Sequence, residues 1–260
     1  MAESATATSG SRPSALVTGA AGHLGSRLCR LLSAAGCEVV GVDLPQTAAV
    51  EGTTRWVTVD LADPCGEVAL AEALDPACAW DVVVHAAGVT ALGGFEDTDD
   101  AAFQRVMDVN YHGLLRTVRA TLPGLRAAGG HLLVVSSVAG LLPITGRPAY
   151  VGAKHAVSGV ARALAGEFER DGIAVSVVHP AFLATPVTEV GAGRAARSTT
   201  GAALSADVLA RRIVRLVARR RAGRRVPGRV QVGATAHLAD TVARLAPETA
   251  RRLAARRLTR

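Results

Sequence analysis

From residue 14 to residue 180, short unbroken apolar runs alternate with longer stretches whose apolar positions recur every three or four residues. Ala15–Thr18, Glu38–Asp43, Trp56–Val59, Asp81–His85, His131–Ser136 and Ile173–His179 read as strands. Their continuous apolar character predicts burial on both faces, as in a parallel sheet covered by helices. Helical spacing marks Leu24–Ala35, which stops at Gly36, and Glu67–Leu74. It also marks one long helix within Asp99–Leu125, ended near Pro123 and Gly124, and another over Ala149–Arg170. This alternation predicts βαβ units with right-handed crossovers and one α/β domain over residues 14–235, with helices on both faces of the sheet.

The pattern changes after the sixth strand. Residues 186–204 are rich in Gly, Ala, Arg and Thr without a clear period, and are expected to form a mobile loop over the substrate. Ser205, with Asp207 behind it, signals a helix start. That helix carries Val208, Leu209, Ile213, Leu216 and Val217 on one face and arginines on the other. A last helix, Leu238 to about Leu258, repeats the pattern. Residues 236–260 are therefore expected to be a basic C-terminal helix packed on the domain or on a partner subunit. Residues 1–13 are rich in Ser, Thr and Ala and lack a basic start followed by an apolar stretch; they read as a disordered tail rather than a secretory signal. No apolar run reaches the roughly 18 residues of a membrane span. A cytoplasmic protein is expected.

Composition adds two constraints. Among 260 residues, 49% are apolar and only 3% aromatic, so the core must be built from Ala, Val and Leu. The formal net charge is +7, and about half of the 29 basic residues follow Ser205. The basicity thus belongs to one end and not to the domain as a whole. That end lacks the interleaved aromatics of a nucleic-acid binder and the bulky apolar anchors of a membrane-surface helix, so neither partner is expected. Cys29, Cys37, Cys65 and Cys78 form no CxxC pair and no His spacing completes a metal site. Cys29 and Cys65 are expected in helices as small hydrophobes, and all four as reduced thiols.

The chemistry begins after the first strand, in Thr18-Gly19-Ala20-Ala21-Gly22-His23-Leu24-Gly25. Gly19 suits a tight turn, Gly22 a close backbone approach to phosphate, and Gly25 close packing of helix on strand. The helix N-terminus then offers free N–H groups to a pyrophosphate, with Ala21, Gly22, His23 and Leu24 around it. Asp43 ends the second strand 18 residues after Gly25. A carboxylate there accepts from ribose hydroxyls and repels a 2′-phosphate, which points to NAD(H) over NADP(H), with Leu44 beside it. Asp60 and Leu61, after the third strand, suit the adenine amino group and ring. Ala86, Ala87 and Gly88, after His85, leave room for the cofactor where the strand order is expected to reverse.

Tyr150 and Lys154 stand four apart on a helix and share one face. A nearby ammonium lowers a phenol's pKa from its ordinary value near 10, and the lysine also suits ribose hydroxyls. Ser137, at the end of the fifth strand, can hold a substrate oxygen. Asn110 sits mid-helix, where Asn is a poor helix former. Its amide suits a water that relays protons from Lys154.

These residues resemble the short-chain dehydrogenase/reductases from about Ala15 to about Ser205. The family's YxxxK is matched by Tyr150 to Lys154, its serine thirteen residues earlier by Ser137, and its NxxG by Asn110 to Gly113. Its segment after strand six is matched by Pro180-Ala181-Phe182-Leu183-Ala184-Thr185, with Ala181 in place of Gly. The resemblance implies a seven-stranded, doubly wound Rossmann-type sheet, an Asn–Ser–Tyr–Lys tetrad, and contacts from Pro180, Phe182, Leu183 and Thr185 to the nicotinamide side of the cofactor. It also implies homodimers or homotetramers through the long helices around Asn110 and Tyr150. The TGxxGxxG turn and the HAAG after strand four look like the extended subgroup, whose longer chains include nucleotide-sugar epimerases; the later motifs match the compact subgroup. The expected activity is interconversion of a secondary alcohol and a ketone. A substrate pocket of Ser137, Val138, Leu142, Ile144, Tyr150, Ala181 and Phe182 would favour a hydrophobic small molecule. Arg147 reads either as a partner for an acidic group on the substrate or as a solvated loop residue. A nucleotide-sugar epimerase and a non-catalytic NAD-binding protein are the alternatives.

Overall fold

A computed structural model describes residues 12–183, 188–190, 204–246 and 248–249. Seven parallel strands form one sheet in the order β3-β2-β1-β4-β5-β6-β7. They are β1 (Ser14–Thr18), β2 (Glu38–Asp43), β3 (Arg55–Thr58), β4 (Val82–His85), β5 (His131–Val135), β6 (Ala174–Pro180) and β7 (Arg229–Val232). The chain winds outward from β1 to β3, returns to the centre, and winds the other way from β4 to β7. The reversal falls between β1 and β4, where Thr18 pairs with His85. Continuous burial of the central strands follows from their composition. Each Val or Leu of β4 and β5 meets a helix layer on one side or the other.

Helices α1 (His23–Ala34) and α6 (Ala206–Arg221) cover one face. Leu28, Leu32, Leu209, Ile213 and Leu216 pack there against Val17, Val39 and Val84. Helices α2 (Gly66–Ala73), α4 (Gly113–Ala128) and α5 (Pro148–Phe168) cover the other face, with Leu70, Leu114, Leu125, Val157 and Phe168 against Leu16, Leu132 and Val134. Ser205 caps α6 by accepting from the Val208 amide, the geometry of an N-cap serine. The single-domain α/β architecture is thus as the apolar pattern implies.

Four local expectations are corrected. The long helix of the middle region is three pieces: α3 (Asp100–Met107), a π-helical turn over Asp108–His112, and α4. Nor does it stop at Pro123. Pro123 lies on the exposed side of α4, where water can serve the carbonyl its missing N–H leaves unpaired. Gly124 is a packing residue, since a β-carbon there would stand 2.3 Å from the Trp80 ring. The helix ends at Gly129, which takes the left-handed conformation at φ 56°.

Cys65 is not inside a helix; it is the exposed residue preceding α2, while Cys29 is fully buried in α1. The last named helix, α7, spans Ala234–Leu245, so it starts before Leu238 and breaks at Ala246; Glu248 and Thr249 are helical again, and the expected stretch 250–258 lies outside the described residues. Ala246, which precedes Pro247, turns out of the helix at φ −145°, as a residue before proline tends to. Ala236 and Ala239 seat α7 on the domain against Val138 and Ala181. Residues 1–11 and most of 186–204 and 250–260 lie outside the described residues, and with them the expected tail, loop and terminal basic segment. No described helix is long and apolar enough to cross a membrane, and no group of His, Cys, Asp and Glu among the described residues suits a metal.

Candidate active site

The glycine turn joins β1 to α1 at the strand reversal. Gly19 has φ 67°, and a β-carbon on it would lie 2.9 Å from Ala87 Cα. A β-carbon on Gly25 would lie 2.0 Å from the Gly19 carbonyl oxygen. Both positions therefore exclude any larger residue. Gly22 opens α1 with no side-chain cap and no acidic residue in the first turn, so the leading N–H groups are left for another acceptor. Ala21, Gly22 and His23 are exposed and Leu24 half-buried.

Asp43 reaches across this turn. Its Oδ2 accepts from the Ala21 amide at 2.7 Å and its Oδ1 from the Leu44 amide at 2.8 Å. The carboxylate is thereby fixed beside the uncapped helix start. Asp60 accepts from the Ala62 amide at 2.9 Å and pairs with Arg105 at 3.3 Å. Leu61 is buried in the core and approaches Gly113.

Ala86, Ala87 and Gly88 follow β4, and Thr18 secures their entry: its hydroxyl oxygen accepts from the Ala86 and Ala87 amides at 3.2 Å each. His85 Nδ1 lies 3.1 Å from Thr18 Oγ1 and 3.2 Å from Thr117 Oγ1. The Thr117 hydroxyl donates to the Gly113 carbonyl, so its oxygen is free to accept from His85. This buried bridge ties β1, β4 and α4 together under the turn. The sequence signal for it was slight, because a histidine and two threonines scattered over a hundred residues carry no motif.

Four predicted residues converge beyond β4 and β5. Asn110 is fully buried in the π-helical turn. Its amide nitrogen donates to the Val106 and Val89 carbonyls, each at 2.8 Å, so the nitrogen is committed to structure. Its Oδ1 is buried with no partner among the described residues. That oxygen faces Gly88, as does the Lys154 ammonium: a β-carbon at Gly88 would stand 2.8 Å from Oδ1 and 3.3 Å from Nζ. Lys154 donates to the Val135 carbonyl at 3.2 Å and lies 5.6 Å from the centre of the Tyr150 ring. Below it, Ser136 and Ser158 share a hydrogen bond of 2.8 Å, and Ser158 also donates to the Lys154 carbonyl.

Burial lowers the Lys154 pKa from 10.5 to about 8. The expectation that Lys154 would set a lowered Tyr150 pKa is corrected. Burial raises the phenol above its ordinary value, while a hydrogen bond with Ser137 and the Arg147 charge pull it the other way. Desolvation outweighs both because the ring is enclosed by protein. Ser137 is half-buried and extended, and its oxygen also accepts from the Ala139 amide at 3.1 Å. His179 fixes the same residue from behind, its Nδ1 lying 3.1 Å from the Ser137 carbonyl oxygen. That contact was invisible in the sequence.

The expected pocket residues fall in two groups. Val138 and Ala181 are buried against α7, whereas Leu142, Ile144 and Phe182 are half-buried at its edge. Leu183 pairs with Leu204 in an isolated bridge. Pro180 ends β6, and Thr185 lies outside the described residues.

Residues 13–192 match the family model described as short chain dehydrogenase. The chain belongs to the short-chain dehydrogenase family. It is 30% identical over 190 residues to a trans-4-hydroxycyclohexanecarboxylate dehydrogenase of Sinomonas cyclohexanicum, covering 67% of this chain and 73% of that one. It is 31% identical over 183 residues to a 3-alpha-(or 20-beta)-hydroxysteroid dehydrogenase of Mycobacterium tuberculosis, covering 67% and 70%. A short chain dehydrogenase of Burkholderia cenocepacia, solved with NADP, shares the fold with a TM-score of 0.74 at 20% identity, over 92% of this chain and 95% of that one. Short-chain dehydrogenases are oxidoreductases that use nicotinamide cofactors. The glycine cradle, the uncapped helix start and the buried, unpartnered Asn110 oxygen beside Lys154 fit such a group.

Proposed function

We propose that this protein is an NAD(H)-dependent dehydrogenase that interconverts a secondary alcohol and a ketone on a small, largely apolar molecule, with Tyr150 as the proton donor and acceptor. The observation that carries the reading is the meeting of Tyr150, Lys154, Ser137 and Asn110 at the ends of β4 and β5, next to the glycine cradle. A bound nicotinamide ring supplies the hydride acceptor in oxidation and the hydride donor in reduction.

The chain's own groups then handle the oxygen and its proton. Ser137 holds the substrate oxygen. Tyr150 takes the hydroxyl proton as the carbinol C–H bond breaks, and returns it in the reverse direction. Ser137 and the Arg147 charge favour the phenolate against burial, and Lys154 suits ribose hydroxyls with the hydrogens its single carbonyl contact leaves over. Asn110 Oδ1 can accept from a water, giving the proton a route away from Tyr150. The substrate-facing groups are mostly apolar, and two similar enzymes are named for hydroxylated ring compounds, which supports a cyclic secondary alcohol.

Asp43 supports NAD(H). Its carboxylate is held next to the turn that would carry the adenosine ribose, and a 2′-phosphate there would meet a fixed negative charge. Calorimetric titration with NADH and with NADPH, followed by oxidation of cyclohexanol, tests the proposal. Tighter NADH binding and NAD+-dependent turnover are expected. Tighter NADPH binding overturns the role of Asp43 alone. Failure to bind either overturns the dehydrogenase assignment.

A further inference from the structure

Arg147 immediately precedes α5 and stands three residues before Tyr150, so both belong to the first turn's face of that helix. The backbone there is irregular, at φ −154° and ψ 47°, and the side chain is half-buried. Its guanidinium carbon lies 5.9 Å from the centre of the Phe182 ring. Stacking on an aromatic face orients a guanidinium without consuming its N–H donors. Leu142 and Ile144 pack in the same cluster as Phe182, so the surroundings are apolar.

Arg147 joins this half-buried apolar setting to the lack of an anion, whereas half-buried Arg116 and Arg220 bond to backbone carbonyls. Arg27 and Arg30 pair with Asp207, Arg105 with Asp60, Arg119 with Glu67, Arg126 with Asp171, and Arg229 and Arg244 with Asp240. No ion pair serves Arg147 among the described residues. A half-buried cation against apolar groups gives up hydration and gains little in return, unless a ligand supplies the charge. Arg147 stands three residues before Tyr150 at the start of α5, and its charge draws the phenol's pKa downward against the larger effect of burial.

We infer that Arg147 is the anion-recognising residue of the substrate site, and that the preferred alcohol carries a carboxylate across an apolar ring or chain from its carbinol carbon. The inference rests on the dehydrogenase reading above. The planar guanidinium matches a carboxylate through two parallel N–H···O bonds, while Leu142, Ile144 and Phe182 accept the apolar body between the two polar ends. Arg147 thereby selects among alcohols, and the chemistry at Tyr150 is common to all of them.

A matched pair of substrates tests this: cyclohexanol and 4-hydroxycyclohexanecarboxylate, assayed with the same dinucleotide. Charge-assisted bidentate contacts are about twice as strong as neutral ones, so the carboxylated alcohol should lead by roughly 10- to 100-fold in kcat/KM. Arg147→Met should bring the two substrates to near parity, and Arg147→Lys should keep part of the preference. Loss of the arginine charge also alters Tyr150, but that change falls on both alcohols and cancels in the ratio. A second readout needs no turnover: cyclohexanecarboxylate should bind the wild-type protein with its dinucleotide and fail to bind the methionine variant in a calorimetric titration. Oxidation of cyclohexanol by the wild type with no preference for the carboxylated ring overturns the inference and leaves the dehydrogenase reading standing. A preference that survives in Arg147→Met overturns it too. Turnover of neither alcohol, with no dinucleotide binding, overturns both.

Discussion

Gly88 lies so close to Asn110 that a β-carbon built on it would stand 2.8 Å from the amide oxygen Oδ1. The same atom would be 3.3 Å from Lys154 Nζ. Asn110 cannot yield, because its amide nitrogen is bonded to the Val106 carbonyl of α3 and to the Val89 carbonyl after β4. Gly88→Ala should therefore push the amide and the ammonium out of register while leaving the sheet intact. The expected outcome is a fall in kcat of about 10-fold or more, the scale on which displacement of a positioned group acts, with a small change in Tm. Steady-state kinetics beside a thermal melt check it. A variant of normal kcat would show that the oxygen and the ammonium need not keep this spacing.

Tyr150→Phe removes one hydroxyl from a ring that is 8% exposed. The ring's packing survives, and so should the glycine cradle, whose close contacts run between Gly19, Gly25, Ala20 and Ala87 and do not involve Tyr150. Dinucleotide binding by calorimetry should be retained. Turnover should fall by roughly 10²–10⁴-fold, the contribution of a positioned acid or base. Retained turnover would remove Tyr150 from the chemistry.

The glycine turn was legible in the sequence because steric exclusion at Gly19 and Gly25 leaves no other residue type, so the need is written as a letter. Tyr150 and Lys154 were legible because i,i+4 spacing on a helix fixes a shared face. Other features depend on groups distant in the chain. Pro123 and Gly124 resembled a helix end, and only the exposed side of α4 and the Trp80 ring account for their place inside it. Strand β7 leaves little sequence signal, since Arg229–Val232 offers two valines alternating with polar residues at a sheet edge. The balance of forces on Tyr150 is not legible in the sequence, because desolvation depends on what encloses the ring and i,i+4 spacing does not report that. The stacking of Arg147 on Phe182 joins positions that lie on either side of β6 and share no motif.

Lys154 is held at a cost to the fold. It is 4% exposed, and burial lowers its pKa from 10.5 to about 8. Because the folded value lies below the ordinary one, the unfolded chain binds the proton more tightly. Stability therefore rises as pH increases from about 8 to 10.5 and is lowest, for this group, below about pH 8. Lys154→Met keeps the apolar stem and removes the charge. At pH 7 the variant should melt several degrees higher than the wild type, consistent with the stability often given up at functional sites, and should lose turnover. A lower Tm would mean that the contact with the Val135 carbonyl outweighs desolvation.

Three enclosed histidines make the fold sensitive to acid. His85 and His131 are lowered by burial from 6.5 to about 3, and His179 to about 4. Each stays neutral in the folded chain and takes up a proton on unfolding. Their stabilising share is complete above about pH 6.5 and is lost as pH falls toward 3 to 4. With all three titrating, the loss approaches ~4 kcal/mol per pH unit below about pH 5. His131 offers the clean test. Its Nε2 lies 2.9 Å from Ser176 Oγ, whose hydroxyl donates to the Pro227 carbonyl, and its Nδ1 has no partner among the described residues. Replacing it by leucine leaves Ser176 bonded and removes one proton from the balance. Urea midpoints measured from pH 7 to pH 4.5 should fall less steeply for His131→Leu than for the wild type. Equal slopes would mean that His131 does not charge when the chain unfolds, and that the acid sensitivity lies with His85 and His179.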